Sequence, residues 1–177
     1  MPNQIQVRMA ELRDLDTIAE LNIAMAWETE QRRLEPATIR RGIEAVMEDS
    51  DYGFYVVAES DGHVVGCLLI TFEWSDWRSA LFWWIQSLYV RPPYRRRGVF
   101  KHLHSFVKTR ALQHPEVCGL RLYVEHSNHI AQRAYDQIGM TPTTYRMYEE
   151  SFRCTGAAGN PKSEISNPKP IPNPKHE

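Results

Sequence analysis

The fold is decided by the stretch Leu88–Leu103, which reads LYVRPPYRRRGVFKHL. It continues the apolar run Leu81–Val90, which predicts a strand that is apolar on both faces and therefore either central in a sheet or covered by a ligand on one side. Two prolines end the strand, and an amphipathic helix opens at Gly98. The first backbone N–H groups of a helix lack partners within it and attract anions, and Arg95–Arg97 stand beside them. The stretch therefore predicts a site for a pyrophosphate.

Hydrophobic periodicity predicts the remaining elements. Helices are expected from Asp14 to about Trp27, from Pro36 onward, from Gly98 to about His114 and from Asn128 to Ile138. Strands are expected at Ile5–Arg8, Phe54–Glu59, Val64–Phe72, Leu81–Val90, Cys118–Glu125 and Thr143–Glu149, with a hairpin turn at Asp61-Gly62. The order β-α-α-β-β-β-α-β-α-β predicts an α+β fold, in which a mixed sheet has helices on both faces.

The composition of the chain changes near residue 155. Residues 1–154 are expected to form one domain, whereas residues 155–177 contain five prolines and predict a disordered, proline-rich tail. The sequence lacks a signal-peptide pattern and any apolar run close to the roughly 20 residues of a membrane helix. A cytoplasmic protein without a membrane partner is therefore expected.

Cysteine usage and charge narrow the function classes. The cysteines at positions 67, 118 and 154 are odd in number and far apart, so a disulfide framework is not predicted. The 21 Lys and Arg residues nearly balance the 22 Asp and Glu residues, for a net charge of −1. This balance weighs against a general nucleic-acid binder.

A second motif lies at residues 122–140, LYVEHSNHIAQRAYDQIGM. Together with RRRGVF at residues 95–100, it resembles the GNAT superfamily of acyl-CoA N-acyltransferases. That family has Arg/Gln-x-x-Gly-x-Gly/Ala at a strand–turn–helix junction, and Asn, Ala and Tyr recur on the following helix, as Asn128, Ala131 and Tyr135 do here. The resemblance spans roughly residues 5–150. It implies the GNAT fold, with a mixed, mostly antiparallel sheet of six to seven strands flanked by helices on both faces.

The resemblance also implies an N-acetyltransferase that uses acetyl-CoA as co-substrate. The acetyl group would pass to a primary amine by direct attack in a ternary complex. Backbone N–H groups of residues 95–101 would hold the pyrophosphate, residues 88–90 would pair with the pantetheine arm, and Tyr135 would protonate the departing thiolate. The implied co-substrate-binding residues are Leu88, Tyr89, Val90, Arg95, Arg96, Arg97, Gly98, Val99, Phe100, Lys101, Asn128 and Tyr135. Asn128 is equally suited to cap the helix that it precedes.

The chain departs from the family pattern in two ways. Phe100 stands where Gly or Ala is usual. The strand positions that often carry a base carboxylate are Trp84, Gln86 and Ser87, none of which takes up a proton at neutral pH. Glu73, at the end of the third strand, and Glu125, just past the fifth, are the candidate bases. No metal site is expected, because His126 and His129 have no cysteine or paired carboxylate in register.

Other functions stay open on the sequence alone. One is a non-catalytic GNAT-like module that binds acyl-CoA as a sensor, which the missing strand carboxylate favours. Another is a nucleic-acid-binding module built on the basic residues 91–101, against which the neutral overall charge counts. For the enzyme, the expected partner is a small-molecule or peptide amine substrate. A nucleic-acid partner is not expected. The acceptor amine and the oligomeric state are not determined, a homodimer being one option.

Overall fold

A computed structural model of the chain describes residues 4–150 and residue 152. The predicted tail, residues 155–177, and Cys154 lie outside the described residues. The helices and strands, in chain order, are β1 Gln6–Met9, α1 Leu15–Glu30, α2 Pro36–Glu48, β2 Phe54–Ser60, β3 His63–Ser75, β4 Ala80–Val90, α3 Val99–Leu112, β5 Val117–Arg121 and α4 His129–Gln137. This order confirms the predicted α+β class. Within the described ranges, no helix is long and apolar enough to cross a membrane.

The five strands form one mixed sheet in the order β1-β2-β3-β4-β5. The first four strands pair antiparallel, whereas β4 and β5 are parallel. The predicted hairpin turn joins β2 to β3, and Asp61 and Gly62 both have positive φ, 52° and 76°. That conformation is the one that a two-residue turn between twisted strands requires.

Helices cover both faces of the sheet. On one face, α3 buries Val99, Leu103 and Val107 against strand residues such as Ile70 and Ile85. On the other face, α1 and α2 bury their own apolar residues against the opposite side of β2, β3 and β4. The second cluster includes Ile18, Leu21, Ile43, Tyr55, Val57, Cys67 and Tyr89. The prediction of helices on both faces is confirmed.

The strand count differs from the prediction of six to seven. The last predicted strand, Thr143–Glu149, does not join the sheet, and its residues are exposed without regular secondary structure. β5 is also shorter than predicted and ends at Arg121 instead of Glu125. Alternation of apolar and polar residues indicates a half-buried strand only where a partner strand lies within reach. Here residues 143–149 pair with no strand of the described sheet, which ends at β5.

A buried ion pair fixes β1 to the start of α1. The Arg8 guanidinium donates to Asp14 from Nη1 at 2.6 Å and to Glu59 from Nη2 at 2.6 Å. Burial by itself would raise the pKa of Asp14, but the hydrogen bonds from Arg8 and from the Glu11 backbone N–H outweigh it and lower that pKa. The Asp14 side chain is only 6% exposed, so little solvent screens the pair.

Candidate functional site

β4 contributes a strand edge to the candidate site. It pairs with β5 through Leu81–Trp84, and in the described part of the chain this ladder extends no further, although β4 continues to Val90. Between Gln86 and Tyr89, β4 contains one residue more than the facing segment of β3, and Ser87 has a φ of 49°. These features make a β-bulge, which commonly lies next to a functional site. On the side of β5, no strand in the described part of the chain pairs with residues 85–90. Their backbone groups are therefore left for an extended ligand, except the Val90 carbonyl oxygen, which accepts from Arg95 Nε.

The loop after β4 leads directly into the start of α3. Arg96 and Gly98 both adopt the left-handed conformation, with φ of 62° and 80°. Left-handed residues beside right-handed ones turn successive N–H groups toward one side, which makes an anion-binding concavity. Gly98 is the N-cap of α3, and among the described residues no side chain caps this helix start. The first N–H groups of α3 and its positive dipole end are thus available to an anion.

The Arg95 side chain is bound to α1 rather than free beside this loop. Its Nη1 and Nη2 atoms donate to the two carboxylate oxygens of Glu28 at 2.6 and 2.7 Å, and its Nε donates to the Val90 carbonyl oxygen at 2.9 Å. The guanidinium also lies 5.2 Å from the centroid of the Tyr89 ring, and the Tyr89 hydroxyl donates to Glu28 at 3.1 Å. The hydrogen bonds from Arg95 lower the pKa of Glu28. This Arg95–Glu28 link ties the end of α1 to the end of β4.

Tyr135 lies on α4 and packs against the first turn of α3. Its ring centroid is 5.5 Å from that of Phe100 at an interplanar angle of 74°, an edge-to-face contact. Burial raises the pKa of the Tyr135 phenol, so the hydroxyl stays protonated at neutral pH. Asn128 is the N-cap of α4, and its Oδ1 accepts from the backbone N–H of Ala131 at 3.1 Å. The capping alternative for Asn128 is therefore confirmed, which leaves its amide nitrogen for a ligand.

Glu73 lies within β3. Its side chain is on the sheet face that α1 and α2 cover near Cys67 and Tyr89. Its carboxylate is bound on both oxygens, since Oε1 accepts from Arg121 Nη1 at 2.7 Å and Oε2 accepts from Trp84 Nε1. The Arg121 guanidinium in turn lies 3.6 Å from the centroid of the Phe82 ring. The charge of Glu73 is thus compensated by Arg121. The ion pair joins β3 to β5 across β4, over the ring of Phe82.

Glu125 lies in the loop between β5 and α4. Its Oε2 accepts from the Ser127 backbone N–H at 2.9 Å and from the Ser127 hydroxyl at 2.5 Å, and these bonds lower the pKa of the carboxyl group. A carboxylate held in this way shapes the turn that leads into the Asn128 cap. In the region that the structure covers, no group of three or more His, Cys, Asp or Glu side chains could hold a metal ion.

The family model for the acetyltransferase (GNAT) family matches residues 9–140. This match runs from the end of β1 to just beyond α4 and includes both sequence motifs. The chain belongs to the GNAT family of acetyltransferases. None of the curated proteins matches the chain at a significant level.

Solved GNAT structures share the fold over most of the chain. A possible acetyltransferase from Clostridium difficile 630 is 39% identical, with a TM-score of 0.78 over 84% of this chain and 98% of that one. An aminoglycoside N-acetyltransferase in complex with CoA is 18% identical, with a TM-score of 0.71 over 87% of this chain and 98% of that one. A ribosomal-protein-alanine N-acetyltransferase from Brucella melitensis biovar Abortus 2308 is 17% identical, with a TM-score of 0.69 over 85% and 100%. The last two likenesses concern the fold alone.

The structure brings together most of the residues that the GNAT motifs point to. Leu88, Tyr89 and Val90 lie on the open part of β4, residues 95–101 form the loop and the first turn of α3, and Tyr135 contacts that turn through Phe100. Glu73 and Glu125 lie on different parts of the fold, one within β3 and the other before α4.

Sequence reasoning missed a polar group beside the bulge. The Gln86 amide donates to the Thr71 hydroxyl at 2.7 Å and accepts from the Tyr123 hydroxyl at 3.4 Å. Tyr123 also lies against Trp84, with ring centroids 6.3 Å apart. These four residues come from β3, β4 and the segment after β5, so nothing in the local sequence brings them together. Their neutral hydrogen-bonding groups line the same sheet face as Glu73.

Proposed function

We propose that this GNAT protein transfers the acetyl group of acetyl-CoA to a primary amine by direct attack in a ternary complex. The observation that carries the proposal is the open edge of β4 at residues 85–90, which leads straight to the uncapped start of α3. The two features suit two parts of one ligand, because an extended amide-containing arm pairs with a strand edge while a pyrophosphate binds a helix N-terminus.

In this proposal, the backbone supplies most of the co-substrate contacts. Leu88, Tyr89 and Val90 pair with the pantetheine arm, and an N–H group next to the bulge polarises the thioester carbonyl. The N–H groups from Arg95 to Lys101 receive the pyrophosphate, with Gly98 supplying the left-handed turn. The amide nitrogen of Asn128 is directed to the pantetheine region, since its oxygen already caps α4. Backbone binding leaves the side chains of Arg95 and Arg97 for other contacts, which they make with Glu28 and with the Tyr94 ring.

The chemical step needs an acid for the leaving group. The amine nitrogen attacks the thioester carbonyl carbon, the C–S bond breaks, and the thiolate takes its proton from the Tyr135 hydroxyl, which later regains one from solvent. The pKa of Tyr135 is raised, so the proton is present throughout the neutral range. An acyl-enzyme is disfavoured at the bulge, because burial raises the pKa of Cys67 to about 12 and its side chain is inaccessible.

The attacking amine must also lose a proton. Glu73 and Glu125 stay the two carboxylates to test as the base, and both already accept hydrogen bonds from two donors. The bonds from Ser127 favour the ionised form of Glu125 and weaken that carboxylate as a base. Glu73 shares its sheet face with Gln86 and Thr71, which places it better for an amine that approaches across that face. Substitution of each glutamate by glutamine, with kcat/KM followed against pH, tests the role.

The charges near α1 bear on the acceptor. Glu28, which could have attracted a cationic amine, is neutralised by Arg95, and Glu73 is neutralised by Arg121. Recognition of the acceptor by the sheet face therefore depends on neutral hydrogen bonds and aromatic contact from Gln86, Tyr123 and Trp84. A small-molecule or peptide amine fits this chemistry.

A turnover assay tests the proposal. The full chain is incubated with acetyl-CoA and a panel of amines that includes diamines, amino acids, aminoglycosides and peptides, and free thiol is monitored. We expect amine-dependent thiol release, and Tyr135→Phe is expected to lower kcat by on the order of 10²-fold with little change in acetyl-CoA affinity.

Three results would contradict parts of this proposal. Calorimetric binding of acetyl-CoA without turnover on any amine would favour the sensor function. Absence of acetyl-CoA binding would remove the co-substrate assignment altogether. Wild-type kcat in Tyr135→Phe would leave the reaction in place but remove Tyr135 as the acid.

A further inference from the structure

The side chain of Phe100 in the first turn of α3 packs against α4. Phe100 occupies the motif position where Gly or Ala is usual, and its ring packs edge-to-face on Tyr135 at 5.5 Å. On its other side, the ring lies 6.1 Å from that of His104, at an interplanar angle of 52°. His104 is 5% exposed and one turn further along α3, so it limits how far the Phe100 ring can move. Phe100 thus fills the space between a buried histidine and the tyrosine.

This contact matters because α4 has few other anchors. In the described part of the structure, α4 buries none of its residues completely, and its Ile130 side chain is 77% exposed. Tyr135 is the half-buried aromatic of this helix, and its ring is fixed by the Phe100 edge. A side chain of α3 therefore contacts the ring that carries the Tyr135 hydroxyl.

We propose that Phe100 is a positioning residue for Tyr135, which holds the phenol where its O–H reaches the sulfur of the departing CoA thiolate. The proposal rests on the acid role of Tyr135 in the proposed function. It also gives the departure from Gly or Ala a purpose. The Phe100 ring packs on Tyr135 and orients this acid, while the backbone of Phe100 remains part of the pyrophosphate loop.

A double-mutant cycle tests the proposal. The variants are Phe100→Ala, Phe100→Leu, Tyr135→Phe and the double variant Phe100→Ala/Tyr135→Phe, each assayed for kcat, the KM of the amine and the acetyl-CoA dissociation constant. Phe100→Ala is expected to lower kcat about 10-fold or more, because a misplacement on the order of 1 Å is costly to proton transfer. Phe100→Leu, which keeps bulk without the ring edge, is expected to fall between. In the Tyr135→Phe background, Phe100→Ala is expected to have no further effect on kcat, since the hydroxyl that it positions is gone.

Phe106→Leu is the matched control for loss of an aromatic ring from α3. Phe106 packs on the core beneath α3 instead of on Tyr135, so its replacement should change kcat by the same factor in both backgrounds. Equal losses for Phe100→Ala in both backgrounds, or a loss confined to acetyl-CoA affinity, would overturn the positioning role. So would wild-type kcat in Phe100→Ala when Tyr135→Phe is slow.

The failure of the underlying assignment gives a different pattern. Wild-type kcat in Tyr135→Phe itself would show that the acid is another group, whatever Phe100 does. If Phe100→Ala does not fold, Phe100→Leu carries the cycle alone, and an unchanged kcat in that variant at wild-type stability would contradict the proposal.

Discussion

Gly98 offers the sharpest test of the loop that begins α3. Its φ is 80°, a left-handed conformation that disfavours residues with a Cβ atom. A Cβ placed there would meet the His102 ring at 3.7 Å, which is ordinary contact, so Gly98→Ala creates no clash. The whole penalty is conformational, and for an L-residue in the left-handed region it is about 1–2 kcal/mol.

The penalty should appear mainly in acetyl-CoA affinity. Gly98 is exposed, so the free loop can relax out of the left-handed conformation when alanine replaces the glycine. Binding must then restore that conformation and its converging N–H groups, at a cost of about 1–2 kcal/mol, which corresponds to a dissociation constant weaker by roughly 5- to 30-fold. Isothermal titration calorimetry with acetyl-CoA measures the change.

Gly62→Ala is the control for this prediction. Gly62 has a nearly equal φ of 76°, with no atom within 4 Å of the added Cβ, and it lies in the β2–β3 hairpin turn, which contributes nothing to the candidate site. The same backbone penalty should therefore reduce the stability of the fold in urea while acetyl-CoA affinity stays at the wild-type value. The reasoning is refuted if Gly98→Ala binds acetyl-CoA as tightly as the parent chain, or if both variants lose affinity alike.

Two further predictions concern the ion pairs. Glu28→Gln releases Arg95, whose uncompensated charge then lies beside the loop before α3. Acetyl-CoA affinity should therefore rise a few-fold at low ionic strength and return to the wild-type value at high salt. A change in affinity that does not depend on salt would contradict this prediction. Asp14→Asn should cost about 2–3 kcal/mol of unfolding free energy at pH 7, at or below the usual cost for a broken buried pair because Arg8 keeps its other carboxylate partner. The pKa of Asp14 is lowered in the fold, so its contribution to stability is present above the unfolded pKa near 4 and is lost as pH falls through the folded pKa. Urea titrations at pH 7 and pH 3 should therefore show that the unfolding free energies of variant and parent converge in acid. A difference that stays constant between the two pH values would refute this role of Asp14.

Local patterns in the sequence predicted the parts of the fold that depend on neighbours in the chain. The left-handed Gly98 before α3, the Asp61-Gly62 turn and the Asn128 cap each follow from the residue and its immediate context. The apolar run Leu81–Val90 predicted the extent of β4, which in the described part of the sheet has strand partners on both sides only over its first half. Residue type alone could therefore place the loop, the strand that precedes it and the helix that follows.

Features that depend on register or on distant contacts could not be predicted in this way. The bulge at Ser87 exists because β4 has one residue more than β3 between two paired positions, and a sequence does not show which residues pair. The link between Glu28 and Arg95 joins residues 67 positions apart. The segment 143–149 has the alternation of a strand yet lies outside the sheet, because alternation does not supply a partner. The same limits hid the contact between Phe100 and Tyr135.

The unpaired part of β4 has a consequence for the behaviour of the ligand-free chain. An exposed strand edge accepts any extended backbone, so it is a point where copies of the chain could associate at high concentration. Basic residues after the edge repel a second copy, and Arg95 Nε already occupies the Val90 carbonyl oxygen at its end. We therefore expect light scattering to show least self-association at low salt or with acetyl-CoA present, and most when high salt screens the arginines. Colloidal stability during purification would then depend on the same strand edge that receives the co-substrate.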